Sequence, residues 1–311
     1  MFKDQSYKTK WIKEKAHELG FSGVGIAQAQ FMEEEAENLR KWLDLGYHGT
    51  MSYMTNHFDK RVDPTELVDN AKSVICLMYN YYNPEVSRSS DYKVSMYAQG
   101  RDYHKVIKKK LKGFFREIET TFGQFSGRYF VDSAPVLERD WAKRSGLGWI
   151  GKNTLLITPQ KGSYFFLCEM IVDFALDYDA PIDDFCGSCT KCIDACPTNA
   201  IDNAGYVMDG SKCISYLTIE LKEDIPEKFK DQMEDNIFGC DICQEVCPWN
   251  RFSTPHSEKE FLPGPQFSAL TNNDWENMTE AQFDQLFEVS AVKRTGFKGL
   301  KRNIKFVKKN K

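Results

Sequence analysis

Cys186-Gly187-Ser188-Cys189-Thr190-Lys191-Cys192-Ile193-Asp194-Ala195-Cys196-Pro197 is the stretch on which the reading of this chain turns. Its C-x2-C-x2-C-x3-C-P spacing is the run by which bacterial two-cluster ferredoxins hold [4Fe–4S] clusters. Three thiolates two residues apart wrap a loop around one corner of a cube, and the fourth points away to a second cluster. The chain then supplies Cys213 and, after an insertion, Cys240, Cys243 and Cys247-Pro248. That is the same motif with its first ligand displaced. By the crossover rule Cys186, Cys189, Cys192 and Cys247 hold one cluster, and Cys196, Cys213, Cys240 and Cys243 hold the other. A pair of four-cysteine zinc sites is the competing reading, because zinc also uses C-x2-C pairs. Zinc does not call for two C-x2-C-x3-C-P endings. Cys76 and Cys168 sit in apolar strand sequence and read as inert core residues.

Upstream of this module the pattern alternates between helix and strand. Residues 6–19, 31–45, 102–122 and 135–145 read as helices; 23–27, 72–79, 128–132, 154–158 and 164–174 read as strands. Long helices between strands suggest α/β or α+β layers. The polar, Pro-containing run Asp177-Tyr178-Asp179-Ala180-Pro181-Ile182-Asp183-Asp184 suggests a boundary. The expected organisation is an α+β chain in three parts: an α/β catalytic domain over 1–178, a ferredoxin-like two-cluster domain over 179–250, and a helical, basic C-terminal segment over 251–311.

With 311 residues, 41% hydrophobic, the chain can bury a proper core, and its net charge of −4 does not advertise nucleic-acid binding. The charge is unevenly spread. Lys105, Lys108, Lys109, Lys110, Lys112 and Arg116 crowd one helix, and nine Lys or Arg with no acid fall between Lys293 and Lys311. A solvated tail and a phosphate-binding tail both remain open. The N-terminus carries no apolar leader core, and no stretch reaches the roughly 18 apolar residues of a membrane span. A cytoplasmic protein is expected, in which cysteines serve metals rather than disulfides.

A ferredoxin needs only the cysteine module, so the electrons are expected to serve a site in the preceding domain. Its richest stretch is Val131-Asp132-Ser133-Ala134-Pro135-Val136-Leu137-Glu138-Arg139. Asp132 ends a strand just before a turn, a position suited to a catalytic acid; Asp132 or Ser133 as helix N-cap is the plain alternative. Gly146-Leu147-Gly148-Trp149-Ile150-Gly151 matches G-x-G-x-x-G in form. It follows a helix and opens a strand, the reverse of a dinucleotide fingerprint, and is rejected as one.

VDSAPVLERDWAKRSGLGWIGKN, ITPQKGSYFFL, CGSCTKCIDACPTNAI, KCISYLT, GCDICQEVCPWN and SAVKRTGFKGLKRN together resemble the epoxyqueuosine reductases, cobalamin-dependent iron–sulfur enzymes of the last step of queuosine synthesis in tRNA. The resemblance implies a cobalamin-binding catalytic domain, similar in fold to reductive dehalogenases, with two [4Fe–4S] clusters passing electrons to the cobalamin. It implies Asp132 as catalytic proton donor and cofactor contact. Further cobalamin contacts are implied at Arg61, Lys152, Asn153, Leu156, Ser215 and Asp241. The substrate would be a tRNA anticodon loop carrying epoxyqueuosine, gripped by the Lys105–Arg116 helix and the C-terminal tail. A monomer served by an external low-potential electron donor is expected. Asp102-Tyr103-His104 starts like the D-x-H-x-x-G cobalt-ligand motif, but Ile107 stands where glycine is required. As an acid near neutral pH, Asp132 would need a pKa raised above about 3.9, which burial beside a corrin would supply. A reductive dehalogenase and a stand-alone electron carrier are the rival readings.

Overall fold

The computed structural model describes residues 4–84 and 89–308. Lys309 and Lys311 of the basic tail lie outside the described residues. Helix α1 (Gln5–Glu18) starts where Asp4 accepts the Tyr7 backbone N–H, at 2.7 Å. Strand β1 (Gly23–Gln28), helix α2 (Glu33–Asp44), the short α3 (Phe58–Val62) and strand β2 (Ser73–Asn80) follow. After the two-residue strand β3 (Lys93–Val94) comes α4 (Tyr103–Phe122), capped by Asp102 on the His104 N–H. Strand β4 (Gly127–Phe130), helix α5 (Glu138–Arg144), the β5–β6 hairpin (Trp149–Ile150, Leu156–Ile157) and strand β7 (Phe165–Val172) complete this part.

Four of these strands form one sheet in the order β1-β2-β7-β4, antiparallel throughout. The layers are therefore α+β. β2 and β7 are central and almost wholly buried, which is why they read as continuous apolar runs rather than alternating ones. The sheet is covered on both faces. On one, Ile12 and Ala16 of α1 and Val106, Ile107, Leu111, Phe114 and Ile118 of α4 pack on Ile75, Leu77, Cys168 and Met170. On the other, α2 and α5 bury Ala36, Leu39 and Trp141 against Val74, Cys76 and Ile171. Cys76 and Cys168 are fully enclosed in this core.

The cysteine module brings two single-turn helices, α6 (Lys191–Asp194) and α7 (Ile242–Glu245), separated by β8 (Asn236–Phe238). The C-terminal part adds α8 (Pro265–Ser268), α9 (Asn272–Asn277), α10 (Glu280–Phe287) and α11 (Gly296–Val307). Thr271 and Thr279 each close a reciprocal capping box, fixing where α9 and α10 begin. A second core joins these helices to Ile214, Leu217, Ile237 and Phe238, and draws Tyr92, Val94 and Ala98 from the first half of the chain. The parallel pairing of β3 with β8 binds the two halves. Among the described residues no helix is long and apolar enough to cross a membrane.

Gly25 of β1 lies against the end of α5, where an added Cβ would come within 2.2 Å of the Ser145 carbonyl oxygen. Gly113, inside α4, has nothing within 4 Å of such a Cβ. Gly25→Ala is expected to destabilise the protein by about 1–3 kcal/mol, and Gly113→Ala to stabilise it by about 0.5–1 kcal/mol. Anaerobic thermal denaturation reads both; equal effects of one sign would contradict the packing described.

Candidate active site and cluster ligands

Asp132 stands two residues beyond the end of β4, with φ of 53°, in the left-handed region where few residues other than glycine settle. Its backbone N–H donates to Glu138 Oε1 at 2.5 Å, so the first residue of α5 pins the loop. Helix α5 is capped by neither Asp132 nor Ser133; Leu137 occupies the N-cap without a side-chain bond. Asp132 is thereby freed for other work. Its Oδ2 accepts the Tyr103 hydroxyl at 2.7 Å and lies 2.9 Å from His104 Nε2. His104 Nδ1 in turn lies 2.7 Å from Asp102 Oδ1. Tyr103 is stacked between His104 and Phe166, at 4.1 Å from each ring.

Burial alone would lower the His104 pKa, but its bonds to Asp102 and Asp132 outweigh this and raise it to about 9. Burial likewise works to raise Asp132, yet the bonds from His104 and Tyr103, with the charges of His104 and Arg294, bring it below the ordinary aspartate value. Within the protein's own surroundings Asp132 is thus shifted down rather than up. Its neighbours stabilise the carboxylate, and the proton of the pair resides on His104. Glu138 behaves oppositely: burial and the nearby Asp132 charge raise it to about 8. Burial raises Asp140 to about 6.

The Asp132 side chain is 48% exposed, although protein atoms surround it on most sides. Both hold for a group on the floor of an open recess. Tyr53, 42% exposed, stands nearby, its ring 6.0 Å from the Arg294 guanidinium. Arg294 is locked to Glu220 by bonds of 2.8 and 3.2 Å, so the C-terminal part reaches this site. A separate cleft of about 350 Å³ between α8, α9 and α10 contains none of these residues.

The cysteines fall into the two quartets expected from spacing. Cys247 feels the charges of Cys186 and Cys189, and Cys192 those of Cys247 and Cys186. Cys240 and Cys243 feel Cys213 and Cys196. Burial pushes Cys240 up to about 12, a resistance to ionisation that iron's positive charge would offset. Among the described residues no three His, Cys, Asp or Glu groups crowd closely enough for one metal ion. Two quartets, each completed by the cysteine that precedes a proline in the other run, fit two [4Fe–4S] clusters. Trp149 donates from Nε1 to Cys186 Sγ at 3.4 Å and packs on Phe185 and Trp249, shielding the first quartet.

The residues assigned to the corrin by motif border this module. Lys152 donates to the Gly187 and Cys189 carbonyls at 2.7 and 3.1 Å. Asn153, buried, donates to the Cys243 carbonyl. Ser215 bonds to Cys213 through backbone and side chain. Asp241 accepts the Met96 N–H at 2.7 Å. Arg61 donates to the Tyr53 and Asn56 carbonyls, bracing Tyr53. Leu156 packs in the core with Met78 and Ala142. Arg61 and Asp132 lie around Tyr53, while Lys152, Asn153, Ser215 and Asp241 lie along the cluster loops. Half-buried Tyr97 links the groups, since Asp132 and Asp241 both raise its pKa. An open recess with an acid at its floor, linked through Tyr97 to the loop of the second quartet, fits a large redox cofactor.

Sequence reasoning met Tyr103 and His104 only as an incomplete cobalt-ligand motif, and missed Tyr53, Glu138, Glu169, Glu220 and Arg294. The one legible signal was Glu169, an acid inside the apolar strand Phe165–Val172.

A family model described as "Epoxyqueuosine reductase QueG, DUF1730" matches residues 61–133, and one for a 4Fe-4S double cluster binding domain matches 185–250. An epoxyqueuosine reductase of Leadbetterella byssophila is 57% identical over 300 residues, covering 96% of this chain and 98% of that protein. A crystal structure of epoxyqueuosine reductase with an epoxyqueuosine-modified tRNA-Tyr stem loop superposes with a TM-score of 0.88 at 30% identity, over 96% of this chain and 80% of that one. A catabolic reductive dehalogenase shares the fold, with a TM-score of 0.52 at 19% identity over 82% of this chain and 33% of that one.

Cys196→Ser and Cys247→Ser are each expected to lose about half the iron of the reconstituted protein, from different clusters. Iron content and electron paramagnetic resonance of the reduced proteins check this. Loss of the same signal in both variants would contradict the crossover.

Proposed function

Since this chain belongs to the epoxyqueuosine reductase family, we propose that it reduces epoxyqueuosine to queuosine in tRNA, with Asp132 as the residue through which the epoxide oxygen is protonated. The observation that carries this reading is the exposed Asp132 carboxylate, its Oδ2 2.9 Å from His104 Nε2, in a chain that also gathers two cysteine quartets. Bound cobalamin, fed by the two clusters, would supply the reducing electrons. Arg61, Lys152, Asn153, Leu156, Ser215 and Asp241 are the residues proposed to hold it, Leu156 and Asn153 mainly through backbone because their side chains are buried.

The chain's own part is proton management. His104 holds the proton, and Asp102 keeps the imidazole in line by bonding its far nitrogen. Tyr103 bonds the same Asp132 oxygen and fixes its direction. When negative charge develops on the opening oxygen, the proton passes from His104 by way of Asp132. Asp132 is thus a relay fed by His104 rather than an acid protonated at rest.

The tRNA is proposed to lie along α4. Lys105, Lys108, Lys109, Lys112 and Arg116 are exposed on that helix, whose first turn holds Asp132. A phosphate backbone tracking this stripe is led to the recess, and an unstacked anticodon base suits such an opening. In the C-terminal part, by contrast, Arg302 is spent on the Leu217, Leu221 and Glu223 carbonyls, and Lys308 pairs with Glu276. We further propose a cytoplasmic monomer served by an external low-potential donor. The dehalogenase reading has only a shared fold behind it.

Anaerobic assay of the reconstituted protein on epoxyqueuosine-containing tRNA, with and without cobalamin, tests the reading by nucleoside mass spectrometry. Cobalamin-dependent formation of queuosine is expected. The rate should hold near neutral pH and be lost as pH rises through about 9, because the His104 proton is then gone. Asp132→Asn should slow turnover about 10²–10⁴-fold with clusters intact. Full turnover by that variant would contradict the relay.

A further inference from the structure

Behind the Asp132 loop lies a second acid that the scheme above does not use. Glu169, at the middle of β7, is 0% exposed, and neither carboxyl oxygen has a hydrogen-bond partner. An isolated carboxylate in such a place would be prohibitive, so the group is a neutral acid. Its position in the ladder is fixed: Cys76 of β2 on one side, Phe130 of β4 on the other. Phe130 is two residues from Asp132. The side chain shares the sheet face covered by α5, whose first residue is Glu138. The charged and titratable groups around the two acids are Asp132, His104 and Arg139, together with the buried thiols of Cys76 and Cys168. Glu138 and Asp132 both act on Glu169, in that order of strength after burial itself.

The reaction needs what this arrangement offers. Reducing an epoxide to an alkene takes two electrons and two protons. The first proton goes to oxygen as one C–O bond breaks; the second goes to the resulting hydroxyl as it departs as water and the C=C bond forms. The electrons come from the clusters. The His104–Asp132 pair holds one proton.

We propose that fully buried Glu169 and half-buried Glu138 form a carboxyl pair that stores the second proton and delivers it to the recess at the Asp132 loop, a role that rests on the function proposed above. Glu138 is the outlet, because it is the half-buried member and its Oε1, accepting the Asp132 backbone N–H at 2.5 Å, holds its carboxyl at that loop. Glu169 is the store, sealed from water by the sheet and α5. After delivery the negative charge comes to Glu138, the half-buried member, rather than being stranded on Glu169, and Glu138 is reprotonated from solvent through the recess. Glu138 is also a positioning residue, holding Asp132 in its left-handed geometry.

The test combines infrared spectroscopy and single-turnover kinetics on the cluster- and cobalamin-loaded protein. Wild-type protein with 13C-labelled glutamate should show protonated-carboxyl bands at pH 7, one lost in Glu169→Gln and another in Glu138→Gln. Both variants keep a neutral side chain of nearly the same shape, so a merely structural role predicts unchanged chemistry. The proposal predicts single-turnover rates at least about tenfold lower, and in Glu138→Gln loss of the rate dependence near pH 8. Absence of a protonated-carboxyl band in wild-type protein overturns the proposal without need of any variant. Wild-type rates and an unchanged pH profile in both variants also overturn it. Failure of wild-type protein to convert epoxyqueuosine would instead remove the functional reading, while the infrared bands still decide whether the acids hold protons.

Discussion

A carboxylate held between an imidazolium and a tyrosine hydroxyl, on backbone that Glu138 helps to keep in place, is the arrangement around which the recess is built. Asp132 stays ionised because His104 and Tyr103 together outweigh its burial. His104 stays protonated because it has an aspartate at each nitrogen. Neither state survives alone. Tyr103 and His104 both come from the first turn of α4, so the helix that packs the sheet also sets the charge of the site.

The same economy of parts joins the site to the cysteine module. Ser163, Gln244 and Asn250 form a buried polar network between the loop before β7 and the second quartet. Every member is bonded, which makes the seam specific as well as stable. Lys152 and Asn153 extend the seam toward the cysteine loops, and β3 pairs with β8 across it. Arg294 arrives from the C-terminal part, held by Glu220, and adds its charge to the Asp132 environment. Three separate stretches thus converge on one recess.

What was legible in the sequence was what is local. The quartets follow from spacings of two and three residues, and the crossover assigns Cys196 and Cys247 to their clusters. Strands β2 and β7 announce themselves by apolar runs, and α4 by its length and period. Helix α5 begins at Glu138, later than the Pro135 expected, because the Asp132 turn takes up the preceding residues. The antiparallel strand order was not legible, since helices can join antiparallel strands as well as parallel ones. Nor was the protonation of Asp132. It depends on His104, 28 residues upstream, and on Arg294 from the far end of the chain. Asp102-Tyr103-His104 was noticed for a cobalt-ligand pattern it fails to complete, whereas its role is to bond a carboxylate.

The most direct measurement is 15N nuclear magnetic resonance of the His104 side chain in histidine-labelled protein, assigned against His104→Gln. The account predicts an imidazolium with both nitrogens protonated at pH 8, turning neutral at that pH in Asp132→Asn. A neutral His104 in the wild-type protein at pH 7 would contradict it.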